Sequence, residues 1–551
     1  MGPAEGRGVM RPERRLPSPR AMVVAPQPEA VEAGAAMLAA GGNALDAALA
    51  CAITQGVVDP MMCGIGGIAT LQVLDPASGT HTVLNGLGTC PGAARPDMWA
   101  ADFLGECPDG FGYRVRGYAN ECGAKAVTVP GAVRVFAEAH ARLGRKPWAS
   151  LFGAAIGFAT EGWIIRPHVQ AMFSLDERPY GRMSYPEKLG HTEDGRRLYL
   201  REDGTPKRLG EVVRNPELAA TLRVLADGGA EDFYQGRIAR AIVAAMEARG
   251  GLIAAGDLEG FRVAEGAPLR VPYRGYELAL PEPPAGGVVV GEMLRILERF
   301  DLVALGHNSP DYIAVVAEAM KIAGIDKEAH VGDPAFQDVP VGRLLSDGYA
   351  DDCAARIRRG ERASLTRAGS DAPNTTHVSC VDADGMMVSM THTLAVPSGL
   401  IVPGMGFMLN GAMNWMDPRP GRAGSIAPGK RRYSSMTPTI VLREGKPVVT
   451  LGAPGGAWIT VAVAQVLLNL LDWGMGMQEA VMAPRFSATS ETIDLSNRIP
   501  RATERALQGM GYATKRSYQS YAFAGVHGIA VWDGTAEGGA DPQRDGYAAG
   551  V

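Results

Sequence analysis

The sequence predicts an α/β (α+β) protein in which helices cover β-sheets in layers, and three observations support this fold class. The 551 residues correspond to about three or four ordinary domains or to one large layered unit. Helical and strand patterns alternate along the chain after residue 21. Some neighbouring strands are joined as antiparallel hairpins, which is typical of sheets covered by helices. Residues 1–20, rich in Pro, Arg and Gly, predict a flexible arm.

The helices begin with an Ala-rich stretch at 28–55 that is broken at Gly41 and Gly42. Its apolar residues recur three and four apart, so it predicts two helices that meet at a glycine turn. Further helical patterns lie at 132–145, 148–162, 215–227, 236–250, 288–300, 309–323, 343–359, 457–472 and 476–483. Strand patterns lie at 69–75, 81–86, 276–281, 375–382, 386–394, 438–445 and 446–452.

Three segments lack a regular pattern. Residues 100–125 are rich in Gly and Cys, and residues 175–210 are dense in charge, Gly and Pro. Both predict surface insertions. The third segment, 360–374, is polar and ends where a strong strand pattern begins. The sequence therefore places a flexible linker directly before a strand at Asn374.

The composition is that of an ordinary globular protein and excludes several functional classes. The chain is 46% hydrophobic and 21% charged, and 54 basic against 59 acidic residues give a net charge of −5. No broad basic field for nucleic acid or an anionic membrane is expected. No apolar stretch reaches the roughly 18 residues of a membrane span, and the N-terminus lacks the apolar core of a secretion signal.

Seven cysteines are scattered without C-x-x-C spacing, so reduced thiols and a cytoplasmic location are expected. No cofactor or metal is predicted. GIGGIA at 64–69 precedes a strand rather than the helix that a dinucleotide needs, and GSIAPGKR at 424–431 lacks the hydroxyl that would bind Mg²⁺ in a phosphate loop. The nine histidines do not group at metal-ligand spacing.

The segment 374–394 reads as two strands joined at Asp384 and Gly385, a residue pair suited to the turn of a hairpin. Alternation along the first strand places Thr375, His377 and Ser379 on one face. Hydroxyl side chains on a strand usually serve cross-strand packing, so the residues alone leave packing and catalysis both open.

Several sequence blocks, in order, resemble the gamma-glutamyltranspeptidase family of N-terminal-nucleophile hydrolases. They run from about residue 22 to the C-terminus and comprise Thr375-Thr376-His377 with the following DADG turn, GGNALDAALA (41–50), GIGG (64–67), TVPGA (128–132), SSMTPTIV (434–441), GAPGG (452–456), APRF (483–486) and DPQRDGYAAG (541–550). The resemblance implies a four-layer αββα sandwich. It also implies a proenzyme that cuts its own Asn374–Thr375 bond, giving a large subunit, 21–374 after the arm of residues 1–20, and a small catalytic subunit, 375–551.

The resemblance assigns roles to four residues. Thr375 becomes the N-terminal nucleophile, with its own α-amine as the base, and Thr393 holds and tunes its hydroxyl. The backbone N–H groups of Gly455 and Gly456 form an oxyanion hole, which glycine permits because no side chain shields its backbone. The ordinary alternative for these glycines is a turn that enters a helix.

Substrate contacts follow partly from the same resemblance. Ser434 and Ser435 match the positions that bind a glutamyl carboxylate in relatives, with an N-cap or strand-start pair as the alternative. The family's carboxylate-binding Arg is replaced by Leu87, and its pair of acids by Asn414 and Trp415. Leu cannot replace a bidentate Arg–carboxylate contact, so a donor other than glutathione is predicted.

The predicted donor carries one acid group and no α-amine. Lys430, Arg431 and Arg432 lie beside the serine pair and supply positive charge, unless they form a solvated turn. Trp415 offers an apolar wall where relatives bind the ammonium group.

The sequence therefore predicts an autoprocessing amidohydrolase that forms an acyl-enzyme on Thr375. Its partners are a small amide substrate and the two chains of one precursor, with no nucleic acid and no membrane. One heterodimer and a dimer of heterodimers are both left open. A gamma-glutamyltransferase or glutathione hydrolase is the first alternative, and a non-catalytic binding protein on the same fold is the second.

Overall fold

The computed structural model describes residues 19–108, 111–365 and 374–551. The predicted arm, residues 1–20, lies outside the described residues except for its last two positions. More than half of the polar segment 360–374 also lies outside them.

A large antiparallel sheet carries the predicted hairpin. Within the described ranges it has seven strands, in the spatial order Gly546–Gly550, Met22–Pro26, Thr376–Val381, Met387–Thr393, Ile68–Asp75, Thr80–Gly86 and Ala264–Gly266. Each strand pairs antiparallel with its neighbours. Both strands of the hairpin, Thr376–Val381 and Met387–Thr393, are therefore central in the sheet and buried along their whole length.

A second antiparallel sheet packs on one face of the first. Its six strands in the described chain follow the order Thr535–Ala540, His527–Trp532, Lys446–Gly452, Thr439–Arg443, Tyr276–Leu280 and Leu269–Tyr273. Apolar side chains from both sheets, such as Val24, Val381 and Ile529, fill the space between them. The central strands are buried on both faces, whereas the outer strands of each sheet are partly exposed.

Helices cover the outer faces of both sheets and complete the predicted four-layer αββα sandwich. The larger sheet shares a core with Pro28–Ala39, Ala44–Val58, Ala132–Leu143, Gly153–Glu161, Pro167–Phe173, Tyr185–Leu189, Glu193–Tyr199, Pro216–Gly228, Glu231–Tyr234, Arg237–Ala248 and Ala255–Glu259. The smaller sheet shares a core with Gly287–Leu297, Leu302–Leu305, Pro310–His330, Val341–Leu344, Asp347–Arg358, Ile459–Leu471, Met477–Met482 and Arg501–Gly509.

The remaining strands form small sheets. They pair Pro397–Ile401 with Met408–Asn410, Phe103–Glu106 with Tyr113–Val115, and Trp163–Ile164 with Val212–Val213, and they group Phe486–Ser487, Thr492–Leu495 and Ala513–Arg516. Among the described helices, none is both long and apolar enough to cross a bilayer.

The predicted glycine turn in the first helical stretch is confirmed. The first helix ends at Ala39, and the second begins at Ala44 after Gly41 adopts a φ of 83°. Asn43 caps the second helix, because its side chain accepts from the backbone N–H of Asp46 and its own N–H donates to the Asp46 carboxylate.

The prediction that 100–125 and 175–210 are surface insertions is only partly right, because residues 201–210 are exposed or half-buried but other parts of both segments enter the core. Arg182 and Lys188 are fully buried, and each is neutralised by an acid of the same two segments. Arg182 forms a 2.7 Å ion pair with Glu177, and Lys188 lies 3.5 Å from Glu121. The charge density that suggested exposure is instead paired inside the fold, where burial is tolerated only for paired charges.

Candidate active site

Two threonine hydroxyls meet at the start of the central hairpin. Thr375 directly precedes the strand Thr376–Val381, and its Oγ1 donates to Thr393 Oγ1 at 3.1 Å. The backbone N–H of Ala395 donates to the same Thr393 oxygen at 2.8 Å. The structure thus brings together the two threonines that the sequence predicts, and the acceptor beside Thr375 is fixed by the backbone.

The carbonyl group of Asn374, on the bond predicted to be cut, is held by a backbone donor. The N–H of Gly455 donates to the Asn374 carbonyl oxygen at 2.8 Å. On the other side of Asn374, the hydroxyl of Tyr185 donates to its Oδ1 at 2.6 Å. A hydrogen bond to the carbonyl oxygen draws electron density from the carbonyl carbon, which favours attack by a nearby hydroxyl.

The backbone of Thr375 is in an unfavourable conformation. Its φ is 86°, in the left-handed region that a β-branched residue rarely adopts. Such a conformation costs about 1–3 kcal/mol and persists only where the surroundings enforce it. The strain lies on one of the two residues of the predicted cleavage site.

The Gly455–Gly456 turn connects a strand of the smaller sheet to the helix Ile459–Leu471. Gly455 has a φ of 140°, and a Cβ there would lie 2.3 Å from the Cβ of Ala524. The carbonyl of Gly456 accepts from Ser435 Oγ at 2.5 Å. The turn does lead into a helix, which was the alternative role predicted for these two glycines. It also presents the Gly455 N–H to the Asn374 carbonyl.

Both predicted substrate-binding serines are buried and contact backbone groups. The Ser435 hydroxyl donates to Gly456, so it supports the glycine turn. Ser434 Oγ accepts from the backbone N–H of Met436 at 3.4 Å. Ser435 also lines a pocket beside the glycine turn, together with Trp415, Tyr433 and Ala457.

The side chains of Asn414 and Trp415 lie in different environments. Trp415 lines the pocket and packs edge-on against Phe111, with ring centroids 4.4 Å apart. Asn414 is fully buried, and its Oδ1 accepts from Tyr113 and Asn120 of the irregular segment. Asn414 therefore positions that segment, whereas Trp415 contributes a wall of the pocket. Leu87 is buried in an apolar cluster with Ile68 and Met436.

Lys430, Arg431 and Arg432 do not form a solvated turn, which corrects that alternative. Arg431 binds both carboxylate oxygens of Asp333, at 3.1 and 3.2 Å, and Lys430 donates to the backbone. The Arg432 guanidinium lies 5.6 Å from the centroid of the Trp415 ring. In the described ranges, no carboxylate lies within 4 Å of it. Burial lowers the pKa of Arg432 to about 9, so it remains a cation at neutral pH.

A buried histidine lies two residues beyond Thr375, between the two sheets. The ring of His377 bonds to Thr391 Oγ1 at 2.9 Å and to Ser379 Oγ at 3.0 Å. Desolvation holds the pKa of His377 well below its usual value, so the ring is neutral at neutral pH. Alternation along the strand correctly placed this residue on the face of Thr375 and Ser379.

Tyr185 was missed by sequence reasoning, because its segment was predicted to be a surface insertion. The sequence did contain a signal for burial: Tyr185 and Leu189 are large hydrophobic residues four positions apart within this charged segment. For metal binding, the described residues hold no group of three or more His, Cys, Asp or Glu side chains placed around one ion.

Comparisons with known proteins identify the family and the fold of the chain. The sequence model of the gamma-glutamyltranspeptidase family matches residues 30–551. An acylase ACY 1 proenzyme from a Pseudomonas strain is 39% identical over 537 residues, covering 96% of this chain and 93% of that protein. The glutathione hydrolase proenzyme of Pseudomonas aeruginosa is 34% identical over 553 residues, covering 95% and 93%. A crystal structure of cephalosporin acylase from Bacillus halodurans matches with a TM-score of 0.85 and 29% identity, over 99% of this chain and 98% of that one.

Proposed function

Because this chain belongs to the gamma-glutamyltranspeptidase family and is an autoprocessed amidohydrolase of the N-terminal-nucleophile type, we propose that Thr375 is its nucleophile and that its acyl donor bears one carboxylate and no α-amine. The observation that carries the first part is the pairing of Thr375 Oγ1 with Thr393, next to a carbonyl that Gly455 holds. The relatives are enzymes, which argues against the binding-protein alternative.

Self-cleavage begins when Thr375 Oγ1 attacks the carbonyl carbon of Asn374. A C–O bond forms as the peptide C–N bond breaks, and the hydroxyl proton passes to the nitrogen, which becomes the amine of Thr375. Water then hydrolyses the ester, which leaves a carboxylate on Asn374 and restores the hydroxyl of Thr375. The Gly455 N–H stabilises the negative charge that develops on the carbonyl oxygen in both steps.

Turnover of substrate repeats this chemistry on an external amide. The free amine of Thr375 takes the hydroxyl proton as Oγ1 attacks, and the departing amine of the substrate receives it. Water then releases the acid from the acyl-enzyme. An added amine or peptide competes with water for the same acyl-enzyme, so product analysis with and without a dipeptide determines the acceptor.

The second part of the proposal concerns charge in the acyl pocket. A γ-glutamyl group would bring an ammonium into the pocket that Trp415 lines, and an unpaired buried charge costs several kcal/mol. The buried Arg432 lies over that Trp415 ring. Lys327 lines the pocket itself but is paired with Glu328, whereas Arg432 lies beside the pocket next to Trp415. Arg432 is therefore the cation that we assign to the carboxylate of the donor.

The test compares glutaryl anilide with γ-glutamyl anilide on the processed enzyme, since the two differ only by the α-amine. We expect kcat/KM for glutaryl anilide to be at least about tenfold higher. The reason is that the ammonium group of γ-glutamyl anilide must lose its hydration in the pocket without gaining a partner. An equal or higher value for γ-glutamyl anilide would contradict this donor class and support glutathione hydrolysis, the activity named for the Pseudomonas aeruginosa relative.

We also propose that the protein is cytoplasmic and that its two chains stay associated after cleavage. Six of the seven cysteines are buried and their spacing does not suggest a disulfide framework, which supports a cytoplasmic location. Cell fractionation tests this location. Light scattering of the processed enzyme distinguishes one heterodimer from a dimer of heterodimers.

A further inference from the structure

We propose that Tyr185 is a positioning residue for self-cleavage, which acts by holding Asn374 and is not required for turnover once the chain has been cut. This inference rests on the proposed cleavage at Asn374–Thr375. It adds a residue from the helix Tyr185–Leu189 to the proposed cleavage machinery.

The geometry fixes Asn374 at both of its polar groups. Its side-chain Oδ1 accepts from the Tyr185 hydroxyl at 2.6 Å, and its carbonyl oxygen accepts from the Gly455 N–H at 2.8 Å. Both Asn374 and Tyr185 are almost completely buried. Because one hydrogen bond holds the side chain and the other holds the carbonyl oxygen, rotation of the carbonyl plane is restricted, which sets the direction from which Thr375 Oγ1 reaches the carbon.

Tyr185 is itself held rigidly. The helix Tyr185–Leu189 begins at a capping box, in which the Ser184 N–H and hydroxyl both donate to Glu187. Glu121 accepts from the Met183 N–H at 2.6 Å and pairs with Lys188, whose ammonium lies 5.3 Å from the centroid of the Tyr185 ring. The buried charges in this region thus support the ring that holds Asn374.

The expected effect is confined to cleavage, because Asn374 provides the acyl group only in that reaction. In turnover the substrate brings its own acyl group, and Asn374 is then the end of a separate chain. Losing one buried hydrogen bond that orients the reacting carbonyl should slow self-cleavage by about tenfold.

The experiment follows cutting over time after a short pulse of expression, on a denaturing gel, for the wild type, Tyr185→Phe, Asn374→Ala and the double variant. Tyr199→Phe is the matched control, because it removes a hydroxyl from another buried tyrosine in the same segment. We expect Tyr185→Phe and Asn374→Ala each to be cut about tenfold more slowly, and the double variant to be no slower than Asn374→Ala. Processed Tyr185→Phe should keep kcat and KM within about twofold of the wild type.

Three outcomes would overturn the inference. These are wild-type cutting rates in Tyr185→Phe, additive effects in the double variant, and a kcat of processed Tyr185→Phe that falls as much as its cutting rate. If Tyr185→Phe does not fold, the rate of Asn374→Ala decides, and a wild-type rate there also refutes the inference. A wild-type chain that is not cut at Thr375 by intact mass would instead refute the proposed function.

Discussion

The hydroxyl of Thr375 donates to the hydroxyl oxygen of Thr393 across the central hairpin, at a distance of 3.1 Å. Thr393 also accepts from the Ala395 N–H, so its own orientation is set by the backbone. The proton of Thr375 therefore has a defined direction before any reaction begins. Because Thr375 Oγ1 is the donor in this hydrogen bond, its lone pairs are available for attack on a carbonyl carbon.

Removing this hydroxyl should abolish both reactions. The wild type should resolve into chains of about 39 and 19 kDa, from 374 and 177 residues, with the smaller one starting at Thr375. Thr375→Ala should remain a single chain of 58.0 kDa without activity. Thr376→Ala is the control, because that hydroxyl faces Gln55 on the helical side. An active chain that is not cut, measured by intact mass, would refute the role of Thr375.

Gly455→Ala should slow self-cleavage on the order of 10²- to 10³-fold, the cost of losing one oxyanion donor. A Cβ at this position collides with Ala524, so the turn must move its N–H away from Asn374. Gly474→Ala is the control, because it also has a positive φ but meets no atom within 4 Å. Gel densitometry measures the cut fraction, and circular dichroism confirms folding. Equal cutting rates in both variants would argue against a Gly455 donor.

Arg432→Met should reduce kcat/KM for glutaryl anilide by about tenfold or more, because a charge-assisted contact to the carboxylate is lost. The uncharged butyryl anilide should change by less than about twofold, since it makes no such contact. Arg443→Met, at the exposed end of a strand, controls for loss of a positive charge. A similar decrease for both anilides would show that Arg432 supports the fold rather than the substrate.

The pH dependence of turnover should follow the Thr375 amine alone. The amine accepts a proton, so activity should fall about tenfold per pH unit below the pKa of an α-amine, about 8. Desolvation keeps the pKa of His377 well below its ordinary value, so His377 should add no second decrease between about pH 5 and 7. The measurement is kcat/KM against pH for the wild type and His377→Gln. A step near pH 6.5 that His377→Gln removes would contradict this.

Much of the fold could be predicted because its signals are local. The break at Gly41 and Gly42 and the turn at Asp384 and Gly385 both rest on residues that favour turns wherever they occur. The hairpin that positions Thr375 follows from alternation over a few residues. These elements depend little on what packs against them.

The strands at the C-terminus could not be predicted, because their composition depends on distant partners. Residues 535–540 and 546–550 are rich in Gly and Ala, and Thr535 is their one β-branched residue, whereas typical strands are rich in such residues. In the structure a Cβ on Gly538 would lie 2.6 Å from Met22 Sδ. Small residues are required there because the two sheets approach closely, and this contact spans most of the chain.

Tyr185 was missed for a related reason. Its neighbours Arg182 and Lys188 indicate exposure when read alone, and only their acidic partners make burial possible. Pairing between Lys188 and Glu121 is a long-range contact that no local pattern reports. The donor pocket was likewise only partly predicted. Arg431 and Arg432 are adjacent residues of the same type, but Arg431 pairs with Asp333 whereas Arg432 lies against the Trp415 ring, and no local pattern distinguishes them.

The hydrogen bond between Gly455 and Asn374 joins the two halves of the sandwich. Asn374 leads into a strand of the larger sheet, whereas Gly455 follows the strand Lys446–Gly452 of the smaller one. Their contact exists only after the sheets have packed face to face. If the chain is cut at Asn374–Thr375 as proposed, we therefore expect cleavage only in molecules whose two sheets have packed, so that an incompletely folded molecule keeps this peptide bond and does not expose the amine of Thr375.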